Sequence, residues 1–69
     1  MIKRGTIIKT PFAFLKVDEM RGNWIRFKYW DKHKKQWRMR GYVENREKIE
    51  SKIESGEYPI VENFYGKEE

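Results

Sequence analysis

The chain has 69 residues, no cysteine and a net charge of +5, which leaves room for one small core and excludes disulfides and thiolate-held zinc as its staples. Charged residues make up 39% and aromatics 16%, too rich in rings for a disordered chain, so aromatic side chains are expected to supply much of the burial. No apolar run approaches the roughly 20 residues of a membrane span and no secretory leader pattern opens the sequence, so the expectation is a soluble cytoplasmic protein with no membrane partner.

In chain order, Lys3 to Lys9 contains the β-branched cluster Thr6-Ile7-Ile8 and reads as a first strand, which Pro11 ends because it has no amide hydrogen to donate. Phe12 to Asp18 alternates, with Ala13, Leu15 and Val17 on one side and Phe12, Phe14 and Lys16 on the other. Asp18 to Asn23 is polar, ends in Gly22-Asn23 and reads as a turn. Asn23 to Trp30 and Gln36 to Val43 carry the strongest strand signals, separated by the basic segment Asp31-Lys32-His33-Lys34-Lys35 of a hairpin. Glu44 to Ser55 holds no Gly or Pro, spaces Ile49 and Ile53 by four and precedes Gly56, the pattern of a short helix with a left-handed cap. Its narrow apolar stripe places it at the end or edge of the sheet. Tyr58 to Val61 and Phe64-Tyr65 read as an extended segment or edge strand. The expected fold class is mainly β (α+β): a small SH3-like or OB-like curled antiparallel sheet or barrel of four to five strands with one short helix near 45–55. Residues 1–66 form the expected single domain, and 67–69 a frayed tail.

Charge is distributed unevenly along this plan. Residues 1–43 hold twelve Lys/Arg against Asp18, Glu19 and Asp31, a net +9, whereas residues 44–69 hold four against eight Glu, a net −4. A concentrated positive field on one part of a fold makes polyanions its natural partner. Because strand side chains alternate, Ile25, Phe27 and Tyr29 with Ala13, Leu15, Val17, Trp37, Met39 and Val43 make a credible inner face. The opposite face collects Phe12, Phe14, Lys16, Trp24, Arg26, Lys28, Trp30, Arg38, Arg40 and Tyr42. Cations neutralise phosphates while aromatic planes stack on bases or wedge between base steps, so this interleaving points to nucleic acid, with DNA favoured over RNA. The candidate site is Trp24, Arg26, Lys28, Trp30, Arg38, Arg40, Tyr42 and Lys16, with Lys34 and Lys35 of the hairpin loop. The competing destination for Phe12, Phe14 or Trp30 is packing beneath the helix or the C-terminal segment.

No catalytic set, metal site or cofactor is indicated. His33 is the sole histidine and sits in a lysine-rich loop; Asp18 and Glu19 are neighbours that point apart; no glycine-rich phosphate loop or nucleophilic cysteine is present. The expected function is non-enzymatic nucleic-acid binding. The alternative is a small protein or peptide interaction module, of a kind carried by phages or mobile elements, in which the same aromatics form a partner interface.

The hairpin Trp24-Ile25-Arg26-Phe27-Lys28-Tyr29-Trp30, its basic loop, the strand Trp37-Arg38-Met39-Arg40-Gly41-Tyr42-Val43 and the charged helix together resemble the small SH3-like chromatin proteins of thermophilic archaea. The resemblance covers roughly 22–55 and rests on the order of elements. It implies a triple-stranded sheet on the DNA minor groove, with Trp24, Arg26, Arg38 and Arg40 on the binding surface and Met39 or Trp30 as a wedge. The loop here is lysine-rich where that family often has glycines, and the aromatic load is heavier. Trp24-x-Arg26-x-Lys28 followed by Gly41-Tyr42-Val43 is also similar to the end of bacterial SH3-type modules, and three strands before a helix is the order in the arm-binding domains of phage integrases.

Overall fold

A computed structural model describes residues 2–64, with the side chains at 40 and 41 excepted. The chain is mainly β. Strands β1 (Ile7–Lys9), β2 (Phe14–Arg21), β3 (Trp24–Asp31) and β4 (Gln36–Asn45) precede the helix α1 (Arg46–Glu54), and β5 (Ile60–Val61) closes the order. They form one five-stranded antiparallel sheet in the order β4-β3-β2-β1-β5. The expected C-terminal edge strand is therefore present as β5, which pairs Ile60 and Val61 with β1. The expected frayed tail, 67–69, lies outside the described residues.

The stretch expected to be a turn, Asp18 to Asn23, is mostly strand. β2 runs on to Arg21, and Gly22-Asn23 alone makes the turn, with Gly22 at φ +59, a backbone conformation that a residue with a Cβ adopts only with strain. A bulge at Asp18 makes this extension compatible with the buried pattern. Val17 pairs with Phe27, and the next pair is Glu19 with Arg26, so Asp18 is the additional residue and both acidic side chains are carried to the outer face.

The face expected for the fourth strand is inverted. Trp30 pairs with Trp37 and Lys28 with Met39, while Arg26 pairs with Val43, so Trp37, Met39 and Val43 share the outer face with Trp24, Arg26 and Lys28. Arg38, opposite Tyr29, and Tyr42, opposite Phe27, lie on the core side. The cause is loop length. The Asp31–Gln36 pair leaves a loop of four residues, 32–35, and a strand joined through an even-numbered loop presents the opposite parity to one joined through an odd one. Asp31 clamps that loop: its Oδ1 accepts the amides of His33 and Lys34 at 3.0 and 3.1 Å, its carbonyl accepts Lys35 N–H at 2.7 Å, and Lys35 sits at φ +56.

The core is Ile2, Ile8, Leu15, Val17, Ile25, Phe27 and Ile49, with Met20, Tyr29, Ile53 and Tyr58 packed against it. Phe27, Ile8 and Ile25 are fully buried and Ile49 is 1% exposed. α1, which packs on the edge strand β4, supplies one of the core's buried side chains. Its start is fixed by Asn45, whose Oδ1 accepts the amides of Glu47 and Lys48, and by Arg46 N–H donating to the Asn23 carbonyl at 2.6 Å. Gly56, at φ +88, ends it as expected and donates to the Ile53 carbonyl.

This packing sets an order of sensitivity. Phe27→Ala and Ile49→Ala are expected to lower stability by about 2–5 kcal/mol each in urea denaturation, while Val43→Ala on the outer face changes it by about 0.5 kcal/mol or less. An Ile49 variant as mild as the Val43 one would contradict the placement of the helix.

Candidate functional site

The centre of the outer face is charge-compensated. Arg26 reaches Asp18 at 3.2 Å and Glu19 at 2.6 Å, Lys28 reaches Asp18 at 3.7 Å, and Arg21 reaches Glu19 at 3.2 Å. The Asp18 bulge thus sets two carboxylates among three cations. Exposed pairs of this kind contribute little to stability, but any incoming phosphate would have to compete with the two carboxylates for these cations. Around them Trp24, Met39 and Val43 are 56%, 48% and 47% exposed.

Toward the β3–β4 loop the same face is covered by rings. Phe14, Trp30 and Trp37 lie in a row across β2, β3 and β4, and Phe64 of the C-terminal segment rests on all three, with centroids 5.0, 5.1 and 5.1 Å away. Trp30 and Trp37 meet edge to face at 5.2 Å, and Lys16 Nζ stands 4.8 Å from the centre of the Trp37 ring. Phe14 is consequently buried. The Trp30 indole N–H is also buried and has no hydrogen-bond partner among the described residues.

Beyond this cluster, the end of the sheet forms a groove between the segment 9–14 and the hairpin loop, lined by Lys9, Phe12, Phe14, Trp30, Lys32 and His33 among others. Its wall is a turn built on Thr10. The Thr10 hydroxyl accepts the amides of Phe12 and Ala13 at 3.2 and 3.1 Å and donates to the Ala13 carbonyl at 2.7 Å, while Thr10 N–H donates to the same carbonyl. This turn holds Phe12 at 91% exposure. Lys9, Lys32, Lys34 and Lys35 are exposed at this end and, among the described residues, make no ion pair. Across the loop, Arg38 reaches Asp31 Oδ2 at 3.3 Å.

The structure divides the expected site residues into groups. Trp24, Arg26 and Lys28 share the outer face, but the two cations are paired with carboxylates. Trp30 and Lys16 are on that face within the ring cluster. Lys34 and Lys35 belong to the exposed loop. Arg38 and Tyr42 are corrected to the core side: Arg38 pairs with Asp31, and the Tyr42 ring lies 5.8 Å from that of Phe27 while its hydroxyl donates to Glu44 at 3.2 Å. Burial, with the nearby Glu44 charge, pushes the Tyr42 phenol up to about 12. The Arg40 side chain lies outside the described residues.

Sequence reasoning missed Lys9, Lys32, His33 and Phe64 as parts of this end, and it placed Phe12 in a strand. The Thr10-Pro11 pair carries the signal for the turn, since a threonine hydroxyl before a proline favours a side-chain-closed turn. Among the described residues no three of His, Asp and Glu gather in a metal-binding arrangement, and no helix is long and apolar enough to cross a membrane. Comparison with protein families, with characterised proteins and with solved structures finds no match.

The Asp31 carboxyl is held below its ordinary value of 3.8 chiefly by the Lys34 amide, then by the His33 amide and Arg38. A lowered carboxyl pKa contributes order that is present above the ordinary value and is lost as pH falls through the lower one. An NMR titration is expected to place Asp31 below 3.8, with the His33 and Lys34 amide signals moving only as that midpoint is crossed. Loop amides that move at the ordinary value, or not at all, would contradict the clamp.

Proposed function

We propose that the protein is a non-enzymatic nucleic-acid-binding protein that grips its ligand at the β3–β4 loop end of the sheet. The observation that carries the reading is the juxtaposition of an aromatic ring 91% exposed on a hydrogen-bonded turn, Phe12, with lysines that make no ion pair among the described residues, Lys9, Lys32, Lys34 and Lys35. The exposed ring lies on the groove lining and is open to contact by a ligand there. Lysines without ion pairs keep their full counterion atmosphere to release on contact with phosphates, and a fixed ring offers a plane to a base without an entropic cost of ordering it. Trp24, Arg26 and Lys28 then act as a secondary surface, because their charges are already shared with Asp18 and Glu19.

The exposed apolar group Trp24, Met39 and Val43 favours a second reading, a protein-interaction surface on β3 and β4. The two readings differ in their response to salt. Fluorescence anisotropy with oligonucleotides is expected to show affinity falling roughly tenfold or more between about 50 and 200 mM salt. Lys32→Ala combined with Lys34→Ala should flatten the salt slope, and Phe12→Ala should weaken binding by about 1–3 kcal/mol without changing it. Arg26→Ala should do less than either. Salt-indifferent binding, or loss confined to Arg26→Ala and Trp24→Ala, would overturn the loop-end site; no binding at all would leave the protein-interaction surface as the better reading.

A further inference from the structure

Phe64 lies in a slot with the dimensions of one ring. Phe14, Trp30 and Trp37 surround it at centroid distances of 5.0–5.1 Å, Phe14 and Trp30 edge-on to it and Trp37 tilted. The filling is chemically incomplete, because among the described residues the buried Trp30 indole N–H has no acceptor and a phenyl ring offers none. Past Val61, no hydrogen bond among the described residues ties Glu62, Asn63 or Phe64 to the sheet, so ring packing is what holds the segment down. Two of the slot's walls, Phe14 and Trp30, also line the groove that carries Lys9, Phe12 and Lys32. Lys16 stands over the third wall, Trp37.

We propose that this slot is a nucleobase-binding site, and that Phe64 is displaced from it by an unpaired base of a single strand lying in the adjoining groove. The inference rests on the nucleic-acid reading above and names its substrate class. A flat base can take up the edge-on and tilted contacts that the phenyl ring makes with the three walls, and it adds what the ring lacks: a pyrimidine carbonyl or a purine ring nitrogen accepts the Trp30 N–H. Lys9, Lys32 and Lys16 flank the path on which the strand's phosphates would run, and Phe12 offers a stacking plane for a neighbouring base. A duplex cannot use the slot, because its bases are stacked and paired with their faces covered, and entry would require extruding one of them. The C-terminal segment therefore acts as a plug that competes with the ligand.

The test compares oligodeoxythymidine and oligouridine of about ten nucleotides, a length within the range of small single-strand sites, with a DNA duplex of similar length. Each is titrated against the wild-type chain, Phe64→Ala and Trp30→Phe by anisotropy and tryptophan fluorescence, with circular dichroism to report folding. Phe64→Ala is expected to bind the single strands roughly fivefold to a hundredfold more tightly, the scale of one base stack that no longer meets competition. Trp30→Phe keeps a ring but removes the orphan donor. It is expected to stay folded by circular dichroism yet to bind single strands more weakly, and Phe64→Ala, outside the groove lining, should not change duplex binding. Equal gains for oligodeoxythymidine and oligouridine mark a slot that reads the base alone; a difference between them marks contact with the sugar as well. A folded Phe64→Ala that binds no tighter than the wild type overturns the slot, and if that variant does not fold, unchanged single-strand binding by Trp30→Phe does so. Salt-dependent wild-type binding that ignores both variants overturns the slot alone, whereas no binding by any form overturns the nucleic-acid reading with it.

Discussion

The arrangement of the molecule turns on one carboxylate. Asp31 closes the β3–β4 loop by accepting the His33 and Lys34 amides, and the four-residue length it enforces decides which side of the sheet each β4 side chain occupies. With this parity, Trp37 comes opposite Trp30 and joins the outer face, where it completes the ring row on which Phe64 rests. A loop one residue longer would have put Trp37, Met39 and Val43 into the core and Arg38 and Tyr42 into water. The core is small as a result, and α1 must complete it with Ile49.

A second local device, the bulge at Asp18, governs the electrostatics of the outer face. It turns Asp18 and Glu19 toward Arg26, Lys28 and Arg21, so the centre of the sheet keeps little of the +9 charge of the first 43 residues as free potential. Four lysines without an ion pair among the described residues, Lys9, Lys32, Lys34 and Lys35, lie instead at the loop end, beside the groove and Phe12. Charge and aromatic surface are still interleaved, as the sequence pattern implies, but the concentration is at one end of the sheet rather than spread across its face. This displacement moves the proposed contact away from the minor-groove-binding sheet implied by the resemblance to archaeal chromatin proteins.

Much of the fold is legible from sequence because alternation and punctuation are local signals. The β3 pattern with Ile25 and Phe27 inward, a helix within the stretch Glu44 to Ser55 that ends before Gly56, and an extended edge segment that includes Ile60 and Val61 all follow from neighbouring residues, although β4 keeps Glu44 and Asn45 and the helix starts at Arg46. The fourth strand's faces do not, because parity depends on a loop length that Asp31-Lys32-His33-Lys34-Lys35 leaves open until hydrogen bonds choose it. The Asp18 bulge is equally hidden: Asp18-Glu19 reads as turn chemistry, and only pairing with β3 shows that the strand continues through it. The role of Phe64 depends on where the chain returns after β5, for which no periodicity exists. Phe12 was within reach, since the Thr10-Pro11 pair marks a turn whose next residue points outward.

The central claim is that the ligand is held at the loop end by Lys9, Phe12 and the lysines of the hairpin. Mapping amide chemical shifts during titration with a single-stranded oligonucleotide tests it most directly. The expected result is a contiguous set of shifts over residues 9–16, 30–37 and 64, with residues 21–26 and 43 little moved. Shifts centred on Trp24, Arg26 and Val43, with the loop end silent, would contradict it.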